Sequence, residues 1–109
     1  MVRHCFALDL INDPALIVEY EAYHKKVWPE VLASLKEAGI EKLEIYRTGN
    51  RLFMILEAND TFSLEKKSMS DARNQKVLEW ESLMWKFQQE LPNARPGEKW
   101  ILMQRIFNL

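Results

Sequence analysis

The stretch Leu43-Glu44-Ile45-Tyr46-Arg47-Thr48-Gly49-Asn50-Arg51-Leu52-Phe53-Met54-Ile55-Leu56-Glu57 decides the fold. Leu43, Ile45 and Arg47 alternate with Glu44 and Tyr46, the period-two pattern of a strand with two unlike faces. Arg51 to Glu57 is a short apolar run of the kind a central strand carries. Thr48-Gly49-Asn50 between them reads as a hairpin turn. An antiparallel pair therefore occupies the middle of the chain, and the remaining elements must pack around it.

Upstream, Val2, His4, Phe6, Leu8 and Leu10 alternate with Arg3, Cys5, Ala7 and Asp9, which predicts another strand. Asn12-Asp13-Pro14 then opens a helix, with Asp13 as N-cap and Pro14 at the first helical position. Leu16, Ile17, Tyr20, Tyr23, His24 and Val27 share one side of the helical wheel. Pro29 pushes Trp28 out of helical geometry and so breaks the helix. A second helix restarts at Pro29, runs through Val31, Leu32 and Leu35, and stops at Gly39.

Downstream, Asn59-Asp60-Thr61 leads into a short polar helix containing Phe62 and Leu64. A helical pattern returns from Asn74 to Leu91, where Val77, Trp80, Met84, Phe87 and Leu91 share a face and Leu78 and Trp85 lie off it. Pro92 ends it, Asn93 to Glu98 form a loop, and Trp100 to Phe107 make a final strand. The order β-α-(α)-β-β-α-β is the ferredoxin-like split βαβ pattern. It predicts one α+β domain over residues 1–109, with a four-stranded antiparallel sheet and helices on one face. Met54, Trp100, Leu102 and their neighbours suggest apolar residues on both sides of the sheet. A symmetric dimer that stacks two such sheets would cover the second side.

Composition removes several function classes. With 48% hydrophobic residues, 28% charged, 3 Gly and 4 Pro, the chain is neither disordered nor fibrous. Fifteen Lys plus Arg against sixteen Asp plus Glu leave no basic excess for a phosphate backbone, so no nucleic-acid partner is expected. No apolar run approaches the roughly 18–20 residues of a membrane span, and no signal peptide is visible. The lone Cys5 forbids an intramolecular disulfide and suits a reducing cytoplasm. No metal site is expected either, because His4 and His24 lie on different elements without ligand spacing. Four Trp in so short a chain suggest an aromatic-walled pocket or an interface.

His24 is the residue that draws attention. It lies one turn after Tyr20, so a phenol and an imidazole can face the same small volume. Trp28 follows four residues later, at the helix break. Histidine changes charge most readily near neutral pH, which suits acid–base work. The alternative is a core histidine bonded to a backbone carbonyl, and spacing alone does not separate the two.

The run Tyr20-Glu21-Ala22-Tyr23-His24-Lys25-Lys26-Val27-Trp28-Pro29-Glu30 resembles the signature of the L-rhamnose mutarotase family, Y-x-x-x-H-x-x-x-W-P-E. Gly39, Ile45-Tyr46, Leu52-Phe53, Glu57 and Leu91-Pro92 extend the likeness over nearly the whole chain. The resemblance implies a dimeric α/β barrel that interconverts the α and β anomers of 6-deoxy-L-sugars without a cofactor. It implies His24 as the catalytic acid and Tyr20 as a sugar contact. Among further substrate-binding candidates, an indole such as Trp80 can bury the apolar face of a deoxy sugar, Trp28 either walls the pocket or only anchors the helix break, and Tyr46 points either at the pocket or into the dimer seam.

Two departures bear on the substrate. Leu43 stands where the rhamnose enzymes carry a sugar-contacting tyrosine, and Glu79-Trp80-Glu81 stands where they carry tandem tryptophans. Glu79 to Trp85 and Pro96 to Trp100 are more similar to the L-fucose-directed branch. The expected substrate is thus a neutral sugar, L-fucose ahead of L-rhamnose. Two remoter readings are a haem-binding monooxygenase, by fold analogy alone, and a non-catalytic sugar-binding module. Glu57 is left between orienting the histidine and pairing with Arg3.

Overall fold

A computed structural model describes all residues, 1–109. The central hairpin forms from β2 (Ile40–Thr48) and β3 (Arg51–Ala58). Thr48 pairs with Arg51, leaving Gly49-Asn50 as a two-residue loop. Gly49 has φ +57° while Asn50 stays at negative φ, the requirement of a type II′ turn. Asn50 also ties the turn to the neighbouring strand, its side-chain amide donating to the Leu10 carbonyl at 3.0 Å.

That neighbour is β1 (Val2–Leu10), antiparallel to β3 over its length. The α1 helix (Pro14–His24) starts on Asp13, whose carboxylate accepts from the Ala15 and Leu16 amides. Trp28 adopts extended backbone and α2 (Pro29–Glu37) begins at the proline, as the sequence requires. Gly39 ends α2 at φ +91°; a Cβ there would lie 2.6 Å from the Asn59 side chain, so both conformation and space demand glycine. The α3 helix (Leu64–Ala72) is capped by Ser63 and α4 (Gln75–Trp85) by Asn74.

Two expectations at the C-terminal end are corrected. The helix expected to reach Leu91 stops at Trp85. The last turn tightens, with the Phe87 amide donating to Met84 at 3.0 Å, and β4 (Gln88–Gln89) then pairs with Leu10 and Asp9. A longer helix would leave that end of the β1 edge without backbone partners. Phe87 and Leu91 thus continue an apolar pattern outside the helix, and Phe87 still reaches the core.

The final strand is likewise shorter than Trp100 to Phe107. Only β5 (Ile101–Leu102) pairs, with Ala7 and Phe6. Met103 adds one bond to Cys5, and the chain then leaves the edge with Ile106 and Phe107 exposed. Alternation assigns residues to faces but names no partner strand.

The sheet order is β2-β3-β1-β4, with β5 sharing the β1 edge. The expected fourth position is therefore split between two short strands. All the helices pack on one face, which carries Leu8, Leu10, Leu52, Leu56 and Ala58. Met54 and Leu102 pair with Phe6 and so share its helix-side face, while Trp100 packs against the helix-side core. The apolar residues of the other side are their neighbours Phe53, Ile55 and Ile101. The opposite face is still apolar at its centre, through Cys5, Ala7, Phe53 and Ile55, none of which enters either core cluster.

The helix-side core falls into two parts. One gathers Leu10, Tyr20, Val31, Leu52, Trp80, Met84 and Phe87. The other gathers Ile40, Leu56 and Ala58. Met54 lies opposite both Phe6 and Ile45, is half-buried, and packs into neither. The sheet thereby carries a less covered strip between two packed ends.

Candidate active site

Tyr20 and His24 lie one turn apart at the C-terminal end of α1, on its core side. Their rings lie 4.4 Å apart between centroids. Tyr20 is only 3% exposed, and His24 is half-buried. The His24 Nδ1 atom lies 2.9 Å from the Tyr20 backbone carbonyl. A carbonyl only accepts, so Nδ1 carries hydrogen and donates in either charge state. Proton exchange is thereby confined to Nε2, which has no hydrogen-bond partner within the chain. One nitrogen of His24 bonds a backbone carbonyl, and the other has no partner in the chain.

Trp80 on α4 stands edge-on to His24 at 5.7 Å and to Trp28 at 5.3 Å. Tyr23 adds a further edge-on contact to Trp80 at 6.4 Å. The proline break at Trp28 is what turns that indole toward α4, since a continued helix would carry it on past this group. The structure thus assembles His24, Tyr20, Trp28 and Trp80 into one aromatic group.

Tyr46 is not among them. It alternates with core-packed Ile45 and pairs with Phe53, which puts it on the opposite face of the sheet, 52% exposed. There its hydroxyl donates to Glu44 at 3.0 Å, and that bond raises the phenol above its ordinary range. Glu57 pairs with Arg3 at 2.7 Å on the same opposite face, which settles its role against orienting His24. Leu43 packs against the Ile40, Leu56 and Ala58 cluster. Trp85, off the main stripe of α4, lies half-buried beneath the Lys99 ammonium at 5.1 Å.

One participant escapes sequence reasoning. Gln88, 8% exposed on β4, donates its side-chain amide to the Tyr20 hydroxyl at 3.3 Å. Reading Gln88 as part of a longer amphipathic helix hid it, because the strand that aims it inward depends on a long-range pairing with Leu10. Burial pushes the Tyr20 phenol up, and the Gln88 hydrogen bond opposes that rise. The Tyr20 hydroxyl proton itself has no acceptor in the chain.

A surface depression of about 450 Å³ lies beside this group rather than within it. It is lined by Glu19, Tyr23, Lys26, Trp28 and their neighbours, and neither Tyr20 nor His24 reaches it.

Comparison with known proteins agrees with this architecture. A profile of the L-rhamnose mutarotase family matches residues 3–109. An L-fucose mutarotase of Xanthomonas campestris pv. campestris is 48% identical over 111 residues, covering 100% of this chain and 89% of that protein. The crystal structure of an L-rhamnose mutarotase from Formosa agariphila superposes with a TM-score of 0.73 at 23% identity, covering 100% and 99% of the two chains. A tetracenomycin F2 cyclase from Streptomyces glaucescens shares the fold at a TM-score of 0.65 and 15% identity, covering 100% and 97%. The fold alone therefore does not choose a reaction. The family profile and the 48% relative do choose among lineages: the chain belongs to the L-rhamnose mutarotase family.

Proposed function

We propose that the protein is a cofactor-free mutarotase for a 6-deoxy-L-sugar, L-fucose ahead of L-rhamnose. The observation that carries the reading is His24, with Nδ1 held by the Tyr20 carbonyl and Nε2 unpartnered beside Trp80. The 48% identity to an L-fucose mutarotase supports the choice of sugar. So does Leu43, which offers no hydroxyl at the position where the rhamnose enzymes carry a tyrosine.

Anomer exchange requires the anomeric hydroxyl to lose a proton while the ring oxygen gains one. The C1–O5 bond breaks, an open-chain aldehyde forms, C1–C2 rotates, and the ring recloses on the other face. No proton is gained or lost overall. Protonated His24 delivers a proton from Nε2 to the ring oxygen while a water molecule takes the proton of the anomeric hydroxyl, and both transfers reverse on closure, with Nδ1 donating to the same carbonyl throughout. Tyr20 donates its free hydroxyl proton to a sugar oxygen. Trp80 and Trp28 cover the apolar face of the deoxy sugar. The reading includes a cytoplasmic homodimer whose protomers stack through the face carrying Phe53 and Ile55. In that arrangement Tyr46 belongs to the seam or to a site completed by the partner.

Saturation-exchange NMR on anomeric protons tests the reaction, with L-fucose and L-rhamnose in parallel. Faster α/β exchange with L-fucose is expected. No acceleration of either sugar by folded protein would overturn the reading. Sedimentation velocity tests the dimer, and a monomer at all concentrations would remove the stacked-sheet arrangement.

A further inference from the structure

We infer that Gln88 is a positioning residue that sets the polarity of the Tyr20 hydroxyl, making the phenol a hydrogen-bond donor to the bound sugar. The inference rests on the mutarotase reading and deepens it. A primary amide NH₂ group donates and cannot accept, so the Gln88 contact at 3.3 Å occupies a lone pair of Tyr20 Oη. The hydroxyl proton must then point elsewhere, and no acceptor in the chain takes it. Tyr20 is nearly fully buried, so bulk water is a poor alternative. An orphaned donor at such a site is costly unless a ligand supplies the acceptor. The phenol ring also packs against the His24 ring, with 4.4 Å between centroids.

Gln88 is itself well fixed. Its backbone pairs with Leu10 in β4, and the adjacent Phe87 packs against both Tyr20 and Tyr23. Free rotation of a phenol hydroxyl would otherwise let Tyr20 accept as readily as donate. The amide removes that choice before substrate arrives, which is preorganisation rather than a new contact. Gln88 touches no reacting atom and acts through Tyr20.

Three variants test this: Gln88→Met, which keeps volume and removes the donor, Tyr20→Phe, and the double variant. L-fucose exchange by NMR gives kcat and KM for each, with thermal unfolding as a check on folding. Gln88→Met and Tyr20→Phe should each lower kcat/KM, Gln88→Met by roughly five- to tenfold. The double variant should be no worse than Tyr20→Phe, because Gln88 has nothing left to orient.

A second readout is independent of the reaction. The Tyr20 phenol should titrate higher in Gln88→Met, followed by ¹³Cζ chemical shift in labelled protein. Additive losses in the double variant, or an unmoved Tyr20 titration, would overturn the inference while leaving the mutarotase reading intact. Absence of exchange by the wild-type protein would overturn both.

Discussion

Trp80 and Glu81 are neighbours on α4 and serve opposite environments. Trp80 faces an aromatic group in which the titratable His24 keeps a free nitrogen and Tyr20 keeps a free proton. Glu81 faces a charged knot, where Lys67 bonds Asp71 and Ser34 and where the charges of Lys67, Asp71 and Lys99 act on the Glu81 carboxyl. The knot holds more charge, yet its lysine, serine and aspartate are bonded to one another. The aromatic end holds less charge and leaves its polar atoms unspent. Reactivity follows unspent hydrogen-bonding capacity, not charge density, and that contrast separates a candidate active site from a structural tie.

The sharpest way to break the contrast is His24→Ala. Positioned acid–base groups contribute roughly 10²- to 10⁴-fold. The variant should lose anomer exchange by about that factor while its thermal unfolding stays cooperative, since His24 sits at a helix end and is only half-buried. Wild-type exchange rates in the variant would move the chemistry away from the aromatic end altogether.

Trp80→Ala comes next and acts on stability as well. The indole is 8% exposed and meets Tyr23, His24 and Trp28. Its removal should cost about 3–5 kcal/mol in urea unfolding. Trp80→Phe keeps an aromatic ring in the core. It should fold and raise KM more than it lowers kcat if the indole covers the sugar.

The two ends also differ in how legible they were. Tyr20, His24 and Trp28 lie on a local path, where four-residue spacing and a proline dictate geometry without help from distant chain. The turn at Gly49 and the stop at Gly39 are equally local, and both appear where glycine alone tolerates the backbone. Element order followed from such signals. The end of α4 did not, because it depends on an unpaired stretch of β1 nearly eighty residues earlier in sequence.

Gln88 was lost with that boundary. The side that Tyr46 faces was out of reach too, because strand alternation separates two faces but cannot say which one the helices cover. The charged knot was invisible for a related reason: Ser34, Lys67, Asp71 and Glu81 come from three helices whose packing no single-element pattern encodes.

Asp71→Asn tests whether the knot is structural. The Lys67 and Asp71 side chains are 15% and 18% exposed, so their pair is sheltered and not a surface ornament. Loss of the aspartate charge should cost about 1–3 kcal/mol. Anomer exchange should be unaffected once the folded fraction is accounted for. A selective loss of kcat with unchanged stability would instead make the knot part of the catalytic machinery.

Glu81→Gln is the smallest and most discriminating change. Burial holds the Glu81 carboxyl above its ordinary range, Asp71 adds to the rise, and Lys99 and Lys67 oppose it. A group whose pKa rises on folding binds its proton more tightly in the folded chain. Its contribution is full below the unfolded carboxylate value, near pH ~4.3, and is lost as pH climbs through the higher folded value. Glutamine never ionises, so the variant escapes that loss.

The difference in urea midpoint between variant and wild type should therefore grow in the variant's favour above about pH 4.3 and flatten once Glu81 is ionised in both states. Adding Asp71→Asn should shrink this difference, because the charge that helps raise Glu81 is gone and Lys67 is released toward it. A variant less stable than wild type at neutral pH would mean that attraction to Lys67 and Lys99 outweighs burial. Glu81 would then be a spent partner like the rest of the knot, and the boundary between reactive and structural ends would run cleanly between Trp80 and its neighbour.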